Sequence, residues 1–119
     1  MPQEPAQLLN VRYVGGVTIV SFATPYLQAE DAIEKVGDQL FELAGDQGPT
    51  KILLSFDGVR FVSSSMLAQV VKLHKQLVKA KGRVRLCSVT PSMREVLKAS
   101  QLDKLMEVFD DEKAALAKF

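Results

Sequence analysis

Residues Phe61–Leu67 have the sequence FVSSSML, which joins a strand-like segment to a helix-like segment. Upstream, KILLSF at Lys51–Phe56 is short, apolar and bounded by polar residues, which is typical of a buried strand. Downstream, side chains that we expect to face inward recur at helical spacing. They are Leu67, Val70, Val71, His74, Leu77 and Val78. The three serines therefore begin a helix, where unpaired N–H groups and a positive dipole suit an N-cap and also an anion.

The order of the remaining elements predicts an α/β fold. Leu9–Tyr13 alternates like a half-buried strand, and Gly15-Gly16 suits a hairpin turn into a second strand at Val17–Phe22. A first helix follows, and Gly45–Pro49 forms a loop after it. The apolar positions expected on this helix are Ala29, Ile33, Val36, Leu40 and Leu43.

The second half of the chain continues this alternation of strands and helices. Val84 and Leu86 alternate with Arg83 and Arg85, which we expect on a partly covered face of the sheet. Thr90-Pro91 suits a helix start with Met93, Val96 and Leu97 facing inward, a short strand follows at Glu107–Phe109, and Asp110-Asp111 begins a last helix. We predict a mixed sheet of four to five strands with about four helices mainly on one face.

Composition places the chain among ordinary globular domains. Its 119 residues are 47% hydrophobic and 24% charged, so we expect one domain over residues 1–119. The single cysteine, Cys87, excludes an internal disulfide and fits a reducing compartment. No apolar run approaches the roughly 20 residues of a membrane-spanning helix, and the first residues, MPQEPAQ, lack the pattern of a signal peptide. We predict a cytoplasmic protein without membrane insertion.

Charge is distributed unevenly along the chain. Residues 1–57 hold eight acids and three bases, whereas residues 58–94 hold eight bases and no acid. If those bases shared one face, they would attract an acidic partner. The interpretation we favour is that they are solvated and balanced in three dimensions by acids from elsewhere.

The residue inventory excludes several classes of enzyme. The only histidine, His74, lies ten residues after Ser64 on the same predicted helix, about 15 Å away, so it cannot activate that serine. One histidine and one cysteine do not make a zinc site, and neither common phosphate-binding loop motif is present. Aromatic residues are not interleaved with the bases, as nucleic-acid binding would require. We predict no catalysis, no cofactor, no metal and no nucleic-acid partner.

The serine stretch and the order of elements together resemble the STAS domain family, in particular the bacterial anti-sigma factor antagonists. The resemblance covers nearly the whole chain and is strongest over residues 51–109. KILLSFDGVRFVSSSML is similar to the family's strand, short loop, Phe and Asp-Ser-Ser-Gly-Leu helix start. GRVRLCSVTPSMREVLKASQLDKLMEVFDDEKAAL is similar to its next strand, Pro-led helix, turn, short strand and final helix.

This resemblance implies a function and a site. In the family, the first Ser after the Asp is phosphorylated by a partner that is both kinase and anti-sigma factor, and only the unphosphorylated form binds this partner and releases the sigma factor. It therefore implies that Ser64 is the phosphoacceptor, ahead of its neighbouring serines, and that the partner is an anti-sigma factor/serine kinase, with other STAS proteins as a second class of partner. The expected partner-binding residues are Ser63, Ser64, Ser65, Met66, Gln69 and Lys72.

Three departures from the family pattern favour other functions. Ser63 replaces the Asp and can still cap the helix but carries no charge, and Met66 replaces the Gly with a bulky side chain. Thr24–Gln28 lacks the Gly and Asp that often follow the second strand. The alternative is a STAS scaffold or accessory subunit that is not phosphorylated, in a sensory assembly or as a partner of a lipid-transport ATPase. A third hypothesis, a small-ligand or nucleotide binder near Ser63–Ser65, has only the helix start in its support.

Overall fold

The computed structural model describes residues 8–45 and 51–119, and these two segments form a mixed α/β fold. The predicted features that fall on residues 1–7 and 46–49 lie outside the described residues. The strands are β1 (Leu9–Val14), β2 (Val17–Phe22), β3 (Tyr26–Leu27), β4 (Lys51–Ser55), β5 (Phe61–Val62), β6 (Arg83–Cys87) and β7 (Val108–Phe109). The helices are α1 (Glu30–Leu43), α2 (Ser64–Lys79), α3 (Pro91–Ala99) and α4 (Glu112–Ala117), with a 3-10 turn at Leu102–Lys104.

The main sheet has five strands in the order β1-β2-β4-β6-β7. Its first two strands are antiparallel, and Gly15 and Gly16 join them with φ of 55° and 82°, a conformation that suits glycine. The other neighbours, β2 with β4, β4 with β6 and β6 with β7, are parallel, because a helix returns the chain before each new strand. The predicted mixed sheet is confirmed.

Helices cover the two faces of this sheet unequally. The larger core lies between one face and α1, α2 and α3, where Val36, Leu54 and Leu73 are fully buried. A smaller apolar cluster lies on the other face, where Ala115 of α4 packs with Leu53 and Cys87. The prediction that helices lie mainly on one face is therefore confirmed, with α4 on the opposite side.

Several details of the predicted burial are wrong. Tyr13 is 73% exposed, although Leu9, on the same side of β1, is only 5% exposed. Val96 and Val78 point outward, and Ala29 is the exposed N-cap of α1. In α2 the buried stripe is Met66, Leu67, Val70, Leu73 and Leu77, while Val71 and His74 are only half-buried. Both stripes have the i, i+4, i+7, i+11 spacing, but the observed one starts at Met66 and the predicted one at Leu67, so the buried face of α2 is shifted by one residue.

Arg85 also lies differently from the prediction, which placed it outward on a partly covered face. It is only 6% exposed, and its guanidinium lies 4.6 Å from the centre of the Phe119 ring. Its Nη1 donates a hydrogen bond to the carbonyl of Lys118. The C-terminal residues that follow α4 therefore cover this arginine.

Candidate functional site

The serine junction, Ser63–Ser65, lies where β5 passes into α2. Ser63 is the N-cap: its backbone is extended, and its Oγ accepts a hydrogen bond from the Met66 N–H at 3.2 Å. Its carbonyl accepts the first helical hydrogen bond, from the Leu67 N–H at 3.1 Å. The capping role is thus held by the serine that replaces the family's Asp, since Ser and Asp cap helices about equally well.

Ser64 is the first residue of α2, and its side chain is exposed. Within the described segments, its hydroxyl makes no hydrogen bond to another residue, so a kinase could reach it without first breaking an internal contact. The N-terminus of a helix also stabilises added negative charge. Of the three serines, Ser64 is therefore the one whose side chain is both exposed and without a hydrogen bond among the described residues.

Ser65 connects the start of α2 to the start of α1. Its Oγ donates a hydrogen bond to Glu30 Oε1 at 3.0 Å. Asp31 and Glu34 line the same shallow cleft as Glu30 and Ser65. Ser63 lacks the negative charge of the family's Asp, but Glu30 of α1 supplies a negative charge next to the junction. Sequence spacing alone could not reveal this, because the two partners are 35 residues apart.

A two-stranded parallel ladder positions the junction. β3 pairs with β5, with Tyr26 opposite Phe61. The Pro25 carbonyl accepts hydrogen bonds from the N–H groups of Arg60 and Phe61, at 2.7 and 3.2 Å, and the Leu27 carbonyl accepts one from Ser63 at 2.8 Å. The Thr24–Gln28 segment, which departs from the family pattern, is therefore fastened directly to the junction.

An exposed aromatic pair, Tyr26 and Phe61, lies on the outer side of this ladder. The two residues are 51% and 49% exposed. Phe61 also lines a groove of about 110 Å³ that continues towards Met93 and Val96 of α3. Large apolar side chains that are exposed together mark surfaces for protein contact, and aromatic residues contribute strongly to binding energy.

The predicted partner-binding residues separate into surface and core. Met66 is 0% exposed, so the expectation that it lies on the contact surface is wrong. The Ser63 cap places Met66 at the third helical position, which faces the core together with Val70. Gln69 is half-buried against α1, where a Cβ added at Gly37 would collide with its amide. Ser64 and Lys72 are the members of the set that are exposed, and the Lys72 Nζ lies 5.8 Å from the centre of the Phe41 ring.

The histidine and the cysteine of the chain both lie away from the junction. His74 is half-buried on α2, and burial lowers its pKa. Its Nδ1 is buried without a hydrogen-bond partner among the described residues. Burial raises the pKa of the Cys87 thiol, which favours its protonated and unreactive form. Over residues 8–45 and 51–119, no group of three or more His, Cys, Asp or Glu residues could hold a metal ion.

The basic residues of the 58–94 segment do not share one face. Arg94 pairs with Asp110 at 3.2 Å, and Arg85 lies 3.6 Å from Glu107. Arg60 flanks the aromatic pair, whereas Arg83 lies at the start of β6, the opposite end of the parallel strands. Among the described residues, acids from other parts of the chain thus pair with two of these bases, Arg85 and Arg94, so the predicted balance is only partial. None of the helices described here is both long and apolar enough to cross a bilayer.

Comparisons with known proteins agree with this architecture. The family model described as STAS domain matches residues 9–115. A candidate anti-sigma factor antagonist of Bordetella bronchiseptica, BtrV, is 31% identical over 74 residues, and this alignment covers 62% of the chain but only 64% of that relative.

Two solved structures extend the similarity to most of the fold. An anti-sigma-factor antagonist (STAS) domain protein of Planctomyces limnophilus has a TM-score of 0.81 and 27% identity, covering 92% of this chain and 94% of that one. The Bacillus cell fate determinant SpoIIAA in its phosphorylated form has a TM-score of 0.73 and 22% identity, covering 92% and 97%. The resemblance inferred from the sequence is confirmed: the chain belongs to the STAS domain family.

Proposed function

We propose that this chain is an anti-sigma factor antagonist whose binding to an anti-sigma factor/serine kinase is controlled by phosphorylation of Ser64. The observation that carries the proposal is the exposed Ser64 hydroxyl at the first position of a helix that Ser63 already caps. The cap does not depend on Ser64, so this residue can be modified while the helix stays in place. The chain would act by binding, not catalysis, and would work in the cytoplasm.

The switch would operate through surface charge. A phosphate adds nearly two negative charges and three acceptor oxygens at pH 7. At the N-terminus of α2 the helix dipole and the nearby N–H groups favour that charge, so we expect the fold to survive. Glu30 already supplies a carboxylate at the junction through Ser65. The added phosphate would make this surface strongly anionic and repel a partner suited to the neutral serine.

The aromatic pair would provide much of the affinity for the partner. Tyr26 and Phe61 lie on the ladder whose backbone holds the serine junction. A partner that covers both aromatic rings would therefore also cover Ser64 or its immediate surroundings. Phosphorylation of Ser64 would therefore change the surface that the partner binds, and the phosphorylated form would no longer hold the partner.

Two observations from the relatives support the proposal. The Bordetella relative is named for anti-sigma factor antagonism. The Bacillus neighbour has been solved in a phosphorylated form, which is consistent with a STAS fold that tolerates a phosphate. Other STAS proteins are a second class of partner that this surface could bind.

The first test is phosphosite mapping of the protein isolated from its own cells across growth and stress conditions. We expect phosphate on Ser64. Protein that stays unmodified under every condition, while a kinase partner is present, would contradict phosphorylation control.

The second test measures binding to the anti-sigma factor kinase recovered with the unmodified protein. Ser64→Asp should leave the circular dichroism spectrum unchanged and weaken binding about tenfold or more, because like charge in an interface costs several kcal/mol. Asn10→Asp adds the same charge on exposed β1 and should bind normally. Equal affinity of the two variants would refute the charge switch.

The alternative proposal is a STAS scaffold or accessory subunit that binds its partner without modification. It is favoured by Ser63, which removes the charged residue of the family motif, and by the Ser65–Glu30 hydrogen bond, which already occupies one junction hydroxyl. In that case Ser64 would remain unmodified, and Ser64→Ala would bind the partner as well as the unmodified protein does. Loss of partner binding in the Tyr26→Ala variant would still be expected, since the contact surface is the same.

A further inference from the structure

A basic cleft lies at the end of the sheet opposite the serine junction, where β4 and β6 begin. Its volume is about 350 Å³, and it is lined by Lys51, Lys81, Arg83, Arg85, Lys118 and Phe119. The five cationic residues come from three separate parts of the chain, and no acidic residue of the segments 8–45 and 51–119 lines the cleft. The fold therefore gathers positive charge here from positions that are not close in the sequence.

Arg85 helps to build the cleft. It is almost fully buried, its guanidinium stacks near Phe119, and it donates a hydrogen bond to the carbonyl of Lys118. Glu107 Oε1 lies 3.6 Å from it. These contacts fix the position of residues 118 and 119, which form one wall.

The other four cations are available to a ligand. They are Lys51, Lys81, Arg83 and Lys118. None of them forms an ion pair with a carboxylate of the residues that the structure describes, whose ion pairs involve Arg12, Arg85 and Arg94. Their mutual repulsion is therefore not offset by acids in these parts of the chain.

The first local sign of function is a like-charge pair. Lys51 and Arg83 are register partners on adjacent strands. Leu53 is two residues after Lys51, and Cys87 is four residues after Arg83, so each pair points to one face of the sheet. Because Leu53 and Cys87 pack on the α4 side, Lys51 and Arg83 lie on that side as well. Like charges on neighbouring strands destabilise a sheet, so the folded protein carries a cost at this position.

The second sign is the backbone of Lys81. It has a φ of 62°, the left-handed conformation that commonly follows a helix and that glycine adopts most easily. The Lys81 N–H donates to the Val78 carbonyl and the Gly82 N–H to the Leu77 carbonyl, which completes the end of α2. A lysine here costs stability relative to glycine. The like-charge pair and the left-handed Lys81 backbone both lower stability at the same cleft. Losses of stability that coincide in this way indicate that the residues serve a common function.

We propose that the basic cleft binds a small anion that carries two or more phosphate groups, either free or as the headgroup of a lipid. Several cations around a small volume match several negative charges, and Arg and Lys both bind phosphate oxygens strongly. The size of the cleft suits a compact anion. Because the cleft lies at the far end of the sheet, this proposal does not depend on Ser64 or its partner.

The experiment is isothermal titration calorimetry of the full chain with inorganic tripolyphosphate at constant ionic strength. We expect saturable binding to the unmodified protein. The double variant Lys51→Gln/Arg83→Gln should bind about tenfold or more weakly, since charged hydrogen bonds contribute that much each. The matched control Lys35→Gln/Lys113→Gln removes two exposed lysines outside the cleft and should bind within about twofold of the unmodified protein.

A single variant separates binding from general loss of structure. Lys81→Gly removes one cation and also relieves the left-handed backbone. We expect its melting temperature to rise while its affinity for tripolyphosphate falls. If the affinity is unchanged, or if the control double variant loses as much affinity as the cleft double variant, the binding is diffuse surface attraction and the proposal is refuted.

Vesicle sedimentation distinguishes the two sources of phosphate. The probes are phosphatidylcholine vesicles with and without cardiolipin, a lipid that carries two phosphate groups. If the protein associates with the cardiolipin vesicles, if tripolyphosphate displaces it and if the cleft double variant does not associate, the ligand is a lipid headgroup. Calorimetric binding without vesicle association supports a free polyphosphate. Neither binding nor association, or an association that the cleft double variant retains, overturns the site.

Discussion

The N-cap of α2 provides the sharpest test of the serine junction, and the perturbation is Ser63→Ala. The Ser63 Oγ accepts the Met66 N–H at 3.2 Å, and no other described group accepts this hydrogen bond. Replacing a capping Ser by Ala typically costs about 1 kcal/mol, and up to about 2 kcal/mol in proteins. Because Met66 is fully buried, water cannot easily replace the lost acceptor, so we expect a cost of about 1 to 2 kcal/mol.

The assay is urea and thermal unfolding followed by far-ultraviolet circular dichroism. For a domain of this size, a loss of about 1 kcal/mol lowers the melting temperature by roughly 3 to 6 °C. The urea concentration at the unfolding midpoint should fall. The dependence of the unfolding free energy on urea concentration should stay constant, because the variant exposes the same surface on unfolding.

Two further variants make the result specific. Ser63→Asp keeps a capping oxygen and adds charge at the positive end of the helix, so it should be as stable as the unmodified protein or more so. Ser64→Ala removes an exposed hydroxyl that caps nothing and should change stability by less than about 0.5 kcal/mol. If Ser64→Ala costs as much as Ser63→Ala, the capping assignment is wrong, and with it the argument that Ser64 can be modified without loss of the helix.

Three other predictions follow from the packing and charge described above. Joint replacement of Tyr26 and Phe61 by Ala should weaken partner binding about tenfold or more with little change in melting temperature, as measured by calorimetry and thermal unfolding; normal binding would exclude the aromatic pair from the interface. Val70→Ala should cost about 2 kcal/mol in urea unfolding and Val71→Ala clearly less, because only Val70 is fully buried, and equal costs would show that the assigned face of α2 is wrong. Burial lowers the pKa of His74 from its ordinary value of 6.5. The neutral histidine therefore contributes to stability above about pH 6.5, and this contribution is lost as the pH falls through the lower pKa of the folded state. A His74→Gln variant should show a smaller loss of stability over that pH range.

Much of the fold could be predicted from the sequence because the signals are local. The strand at Lys51–Ser55 is a continuous apolar run, and the Gly15-Gly16 turn and the Thr90-Pro91 helix start each depend on residues next to one another. The Thr90 Oγ1 does accept the Met93 N–H, at 3.1 Å. Such features need no knowledge of which parts of the chain meet in space.

The parts that could not be predicted depend on contacts between distant residues. The β3–β5 ladder consists of two-residue strands, which are too short to show a period. The burial of Arg85 depends on Phe119, 34 residues later, and the carboxylate at the junction comes from Glu30 in another helix. Met66 was placed on the surface because the family has Gly there, but the buried stripe of α2 begins at this residue. A linear pattern cannot distinguish these arrangements.

The ladder between β3 and β5 has a consequence for how this protein could diverge from its relatives. Its hydrogen bonds to the junction use the carbonyls of Pro25 and Leu27, and main-chain carbonyls are present whatever side chains the segment carries. The outward residues of Thr24–Gln28 can therefore change over evolutionary time without releasing Ser63. Recognition of a new partner could be acquired in this segment while the modifiable serine keeps its position, so the identity of the partner and the mechanism of the switch can be inherited separately.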